Sequence, residues 1–315
     1  MKTWCRIGIL VLGSLLAACG GGSSGESSTA QQSQAQPPKA QAAPLRQVGA
    51  GTVIDSFSGT GFYWDPAQAG TGLMIEEQGS KAFLGLFVYD DQGNPVWYTA
   101  TGDLPFLSGP SFSFNATLQS YRGGQPLDSS VSSVPVATNV GQISVTFSFD
   151  NTIGWKASAV LPGGRVMNAQ RFQISPDKPI TAANNARIER GWYWNASKSG
   201  RGWAVEVQGD QVFMVVFHYN ADGTPTWNVA NANIASGKVQ TDLLAYRGGQ
   251  TLTGSYKAPL APVKVGQYTL DFPQDRTDCT GSATLNNLPA EALSKFAFAP
   301  NGLLCRQFFK LVNPQ

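Results

Sequence analysis

The chain has 315 residues and a formal charge of +2, with 22 Lys and Arg set against 20 Asp and Glu. So even a balance provides no electrostatic hold on nucleic acid or on an anionic membrane surface. Four Cys and one His leave no metal site or cofactor to expect, while 35 Gly and 11% aromatic residues suit β domains with cores of their own.

Residues 1–18 read as a lipoprotein signal peptide. Lys2 and Arg6 form a short basic region, and the apolar run Ile7–Leu16 is too short to span a bilayer as a helix. It ends in Leu16-Ala17-Ala18-Cys19, the form of a bacterial lipobox, so cleavage is expected to leave Cys19 as a lipidated N-terminus anchored in a membrane. Gly20 rather than Asp follows that Cys, which favours the outer membrane. Residues 19–51 are mostly Gly, Ser, Gln, Ala and Pro, the composition of a disordered tether, with a reach of roughly 30 Å.

The remainder is a tandem duplication. "YRGGQ" occurs at Tyr121–Gln125 and again at Tyr246–Gln250, and Gly61 onward aligns with Gly191 onward through Trp64/Trp194, Glu76/Glu206, Gln78/Gln208 and Trp97/Trp227. The two domains are taken as 52–175 and 188–315, with an insertion in the second near Asn286–Asn301. Each reads as a β meander. Gly79-Ser80 and Gly209-Asp210 mark two-residue hairpins, and Gly93 and Gly223 suit the next turns. Further alternating segments cover Ser111–Arg122, Ile143–Phe149, Lys156–Leu161 and Arg165–Ile174. The expected fold is all-β: two tandem antiparallel domains of seven or eight strands, each an up-and-down barrel or a sandwich. A short helix is expected only at Pro289–Phe296.

Hairpin register assigns the strand faces. One face carries Glu76, Gln78, Phe83, Phe87, Tyr89 and Trp97; the other carries Leu73, Ile75, Leu84, Leu86, Val88 and Val96. In the second domain Glu206, Gln208, Phe213, Phe217, Tyr219 and Trp227 oppose Trp203, Val205, Val207, Met214, Val216 and His218. Aliphatic positions exchange between copies as an ordinary core allows, whereas Glu, Gln and Trp are held. Two readings are open. The carboxylates pair internally, Glu76 with Arg122 and Glu206 with Arg247, or these residues line a ligand concavity with Tyr63, Trp64, Tyr121, Tyr193, Trp194 and Tyr246 as stacking partners. Since both faces are apolar, one is expected to be covered by the other domain or by another protein. YRGGQ itself reads as a strand-end turn. His218 reads as a tolerated substitution on an apolar face. Cys279 and Cys305, aligned with Trp155 and Gln170 by setting Arg306 against Arg171, read as a structural disulfide.

The pattern "GWYWN…SGRGWAVEVQG…FHYNADGTPTW" resembles a repeat found in secreted proteins and lipoproteins of proteobacteria. That resemblance covers roughly the first forty residues of each domain. It implies export and β structure, and no particular activity. No catalytic constellation is legible: one His excludes a duplicated Ser/His/Asp site, and Asp65, the nearest second acid to Glu76, becomes Asn195. The expectation is therefore a lipid-anchored binding protein for a glycan, polymer or protein partner. A structural subunit of a surface assembly or outer-membrane complex, able to self-associate, is one alternative, and a hydrolase is a further one.

Overall fold

The computed structural model describes residues 59–105, 111–151, 153–175, 180, 188–273 and 279–299. The signal peptide, Cys19, the tether and Cys305 lie outside them. The first half forms eight strands: β1 (Gly61–Trp64), β2 (Gly72–Gln78), β3 (Lys81–Tyr89), β4 (Pro95–Asp103), β5 (Ser111–Arg122), β6 (Val136–Asp150), β7 (Gly154–Val160) and β8 (Val166–Arg171). The second half repeats them as β9 (Gly191–Trp194), β10 (Gly202–Gln208), β11 (Gln211–Tyr219), β12 (Pro225–Asn233), β13 (Lys238–Ala245), β14 (Val263–Asp271), β15 (Gly281–Leu285) and β16 (Glu291–Lys295). Each set closes into an up-and-down antiparallel barrel, β8 pairing back onto β1 and β16 onto β9.

The hairpin registers are set by the turn residues. Gln78 faces Lys81, Glu76 faces Phe83 and Phe87 faces Trp97, with the same pairing at Gln208/Gln211, Glu206/Phe213 and Phe217/Trp227. One element differs from expectation: Glu291–Lys295 is the closing strand β16, not a helix. Leu293 is buried inside the second barrel, and Ser294 and Lys295 pair with Trp194 and Tyr193. Arg171 pairs with Tyr63 as Lys295 pairs with Tyr193, so Lys295, not Arg306, is the counterpart of Arg171.

The aliphatic faces point inward. Leu73, Ile75, Leu84, Leu86 and Val88 join Phe114, Val145 and Phe147 in the first barrel. Trp203, Val205, Val207, Met214 and Val216 join Tyr268 and Leu270 in the second. The aromatic faces point outward and pack on each other, forming a third core from Phe62, Met74, Phe87, Tyr89 and Trp97 of one barrel and Trp192, Ala204, Val215, Tyr219 and Trp227 of the other. The covering of the second apolar face is thus supplied by the neighbouring domain.

Contacts across this interface come in reciprocal pairs, as in a two-fold dimer. Trp192 N donates to Glu76 Oε2 at 2.7 Å, and Phe62 N donates to Glu206 Oε2 at 3.0 Å. Gln78 and Gln208 each clamp a passing segment, donating to Phe296 O and Phe172 O, both at 2.8 Å. Trp97 Nε1 donates to His218 O and Trp227 Nε1 to Val88 O, both at 3.1 Å.

This geometry corrects the expected ion pairs. Glu206 is bound by Arg171 of the first barrel at 2.9 Å, and Glu76 by Lys295 of the second at 3.0 Å. Arg122 and Arg247 are exposed, and Arg247 donates to Asn94 Oδ1. The Gly-Gly pairs beside these two arginines are the reason. Each turns the chain onto the opposite barrel, where Gly123 N donates to Gly223 O at 2.8 Å and Gly248 N to Gly93 O at 2.7 Å. A methyl group on Gly124 would lie 1.9 Å from the Tyr219 ring, and one on Gly249 2.1 Å from the Tyr89 ring. YRGGQ is a docking turn between barrels. Beyond it the chain continues as an arm over its neighbour: Leu127 packs on the second barrel's core and Leu252 on the first's.

Candidate functional site

Between the barrels lies a cavity of about 350 Å³. Strand β1 supplies Phe62, Tyr63 and Trp64, the adjoining loop Ala69, Gly70 and Thr71, and the start of β2 Gly72. The end of β3 adds Phe87 and Tyr89. Phe213, Val215, Trp227 and Val229 come from the outward faces of β11 and β12, with Tyr246 at the end of β13. Phe172 closes one side and Pro259, on the second domain's arm, another. Both barrels are needed to make it.

The walls are rings held edge to face. Phe62 meets Phe213 at 5.0 Å and 89°, Phe172 meets Phe213 at 4.7 Å, and Trp64 meets Phe172 at 5.9 Å and 88°. Among the described residues, no charged side chain lines the space. The Tyr89 hydroxyl is buried with no hydrogen-bond partner among them, and burial, then the neighbouring Tyr246, pushes its pKa well above the usual tyrosine range. It therefore stays a neutral hydroxyl, able to donate one hydrogen bond and accept others. Such a lining is apolar and offers few groups that could orient a molecule.

Of the residues singled out from sequence, Tyr63, Trp64, Trp227 and Tyr246 come together at this cavity. Tyr63 turns its ring into the barrel and donates its hydroxyl to Gly59 O, as Tyr193 does to Glu189 O. Trp97 and Tyr121 stack on each other at the two-fold-related position, and Trp194 packs edge-on against Phe296 at 5.2 Å. Glu76 and Glu206 are sealed in the interface at 3% and 0% exposure, so neither reaches a ligand. Arg122 and Arg247 stand outside it. Strand alternation places Phe87 and Phe213 on the aromatic face without assigning them to a site. Phe172 lies in the alternating segment Arg165–Ile174 but nothing there marks it for a site, and Pro259 carries no periodic signal at all.

The polar groups beside the cavity are structural. Asp65 caps the short turn Pro66–Gln68, accepting from Ala67 N at 2.9 Å and from Asn168 N at 3.2 Å. Away from the cavity, beside Tyr193 and Lys295, burial raises the Glu189 pKa, an effect opposed by Lys295. Among the described residues no group of His, Cys, Asp and Glu is arranged to hold a metal ion. No family model, curated protein or solved structure matches the chain.

Proposed function

We propose that this chain is a cell-envelope binding protein, anchored by lipid on Cys19 in the outer membrane, that takes an uncharged, largely apolar ligand between its two barrels. The cavity of about 350 Å³, walled by aromatic rings with no charged side chain among the described residues, carries the reading. A glycan, the class suggested by exposed stacking aromatics, fits this lining less well. Sugar hydroxyls need hydrogen-bond partners, and burying them unpaired is costly. The Cys279–Cys305 disulfide belongs to the same proposal, since export brings the chain into an oxidising compartment.

A neutral fluorescent probe, N-phenyl-1-naphthylamine, tests the reading on the lipid-free mature chain. Saturable binding of one probe per chain is expected, with loss of at least tenfold in affinity for Val229→Phe, which fills the cavity without removing a wall. Absence of saturable binding sinks the proposal. Self-association is the second reading, favoured by the exposed Val131, Val134 and Val136 and by Leu260 and Val263 on the arms and their flanking strands. Sedimentation across a range of concentrations separates the two: a second reading without the first requires oligomers and no probe uptake.

A further inference from the structure

The cavity has a counterpart on the other side of the two-fold relation, built from equivalent residues: Trp192 for Phe62, Trp97 for Trp227, Tyr121 for Tyr246. That counterpart has its rings drawn closer together. Tyr121 stacks on Trp97 at 5.1 Å and 25°, whereas Tyr246 stacks on Trp227 at 28° but 6.3 Å away. Likewise Trp97 meets Phe217 at 5.1 Å, and Trp227 meets Phe87 at 6.1 Å.

Two local differences account for this. The Tyr121 hydroxyl lies 2.9 Å from Thr99 Oγ1 and donates to Gln119 Oε1 at 3.1 Å. Thr99 and Gln119 face each other across the seam between β4 and β5. The corresponding seam between β12 and β13 pairs Val229 with Leu244, whose side chains accept no hydrogen bond from Tyr246. Second, Trp192 extends an indole where the open side has a phenyl, and its ring covers Gly85 so closely that a methyl there would lie 2.3 Å away. Val215, the equivalent of Gly85, takes back part of that space on the open side.

We infer that the chain holds two copies of one site, one open and one latent, and that the open copy admits a planar uncharged ring system against Trp227 by movement of Tyr246. Tethered Tyr121 and the Trp192 indole keep the latent copy closed. The preference for a flat ring comes from the walls, which are ring faces and edges, and from the latent copy, where ring-on-ring packing fills the equivalent volume. This rests on the cavity reading of the proposed function and specifies its ligand class and stoichiometry.

The same naphthylamine titration, run on variants, tests it. Val229→Thr with Leu244→Gln transplants the tether to Tyr246 and is expected to weaken probe binding at least tenfold, with an unchanged melting profile as evidence of folding. Thr99→Val with Gln119→Leu and Trp192→Phe is expected to raise the stoichiometry from one to two. Indole is expected to displace the probe, and 1-octanol at equal concentration to leave it in place. Wild-type affinity in the tethered variant overturns the inference even if the opened variant fails to fold. A stoichiometry fixed at one in a folded opened variant does so too, and octanol displacing as well as indole overturns the ring preference. A wild-type chain that takes up no probe removes the cavity reading itself.

Discussion

Glu206 has no exposed surface, yet it accepts a backbone hydrogen bond from Phe62 and binds Arg171, both in the other barrel. Removing one partner of a buried pair leaves the other charge uncompensated, which costs about 3–5 kcal/mol. Glu206→Ala is therefore expected to lower unfolding stability by about that much in urea titrations, and Glu76→Ala, facing Lys295, to behave alike. His218 adds a pH effect. Burial lowers its pKa, against hydrogen bonds at Asn228 and Tyr219; Arg201 also lowers it and Asp128 raises it. The unfolded chain then binds a proton that the folded chain resists, so stability is full above about pH 6.5 and falls as pH drops below it. Urea midpoints measured from pH 8 to pH 5 are expected to show this loss, and His218→Val, matching Val88 of the first barrel, to flatten it. Retention of both Glu residues between copies makes them legible in sequence as special. Their partners are not legible, because Arg171 and Lys295 reach across from another domain and share no motif.

At the scale of the element, alternating apolar residues and Gly-centred turns make most of the hairpins readable, and with them the inward and outward faces. The destination of each YRGGQ turn depends on the neighbouring barrel, which no local pattern encodes. Strand β16 reads as a helix in sequence because a five-residue strand offers too short a period to distinguish. The two docking turns also separate structure from binding. Gly249→Ala pushes on Tyr89, a cavity wall, while Gly124→Ala pushes on Tyr219 across the interface. Both are expected to cost about 1–3 kcal/mol by overpacking. Only Gly249→Ala is expected to weaken naphthylamine uptake as well, which melts and titrations on the same samples can check.

The two barrels form one folding unit, since each lends its neighbour a cation, an arm and half of a shared aromatic core. A single cooperative transition is expected in calorimetry, with coincident fluorescence and circular dichroism. Residues 52–175 expressed alone would present Phe62, Phe87 and Trp97 to water, and are expected to pair through that face into a concentration-dependent dimer, visible by light scattering.

Joining the halves in one chain has a consequence beyond proximity. In a true homodimer every change on the two-fold is made twice, so a wall thinned on one side is thinned on the other. Here Val229 and Thr99, or Phe62 and Trp192, descend separately. Covalent linkage frees a symmetric joint to become a seal in one place and a doorway in the other.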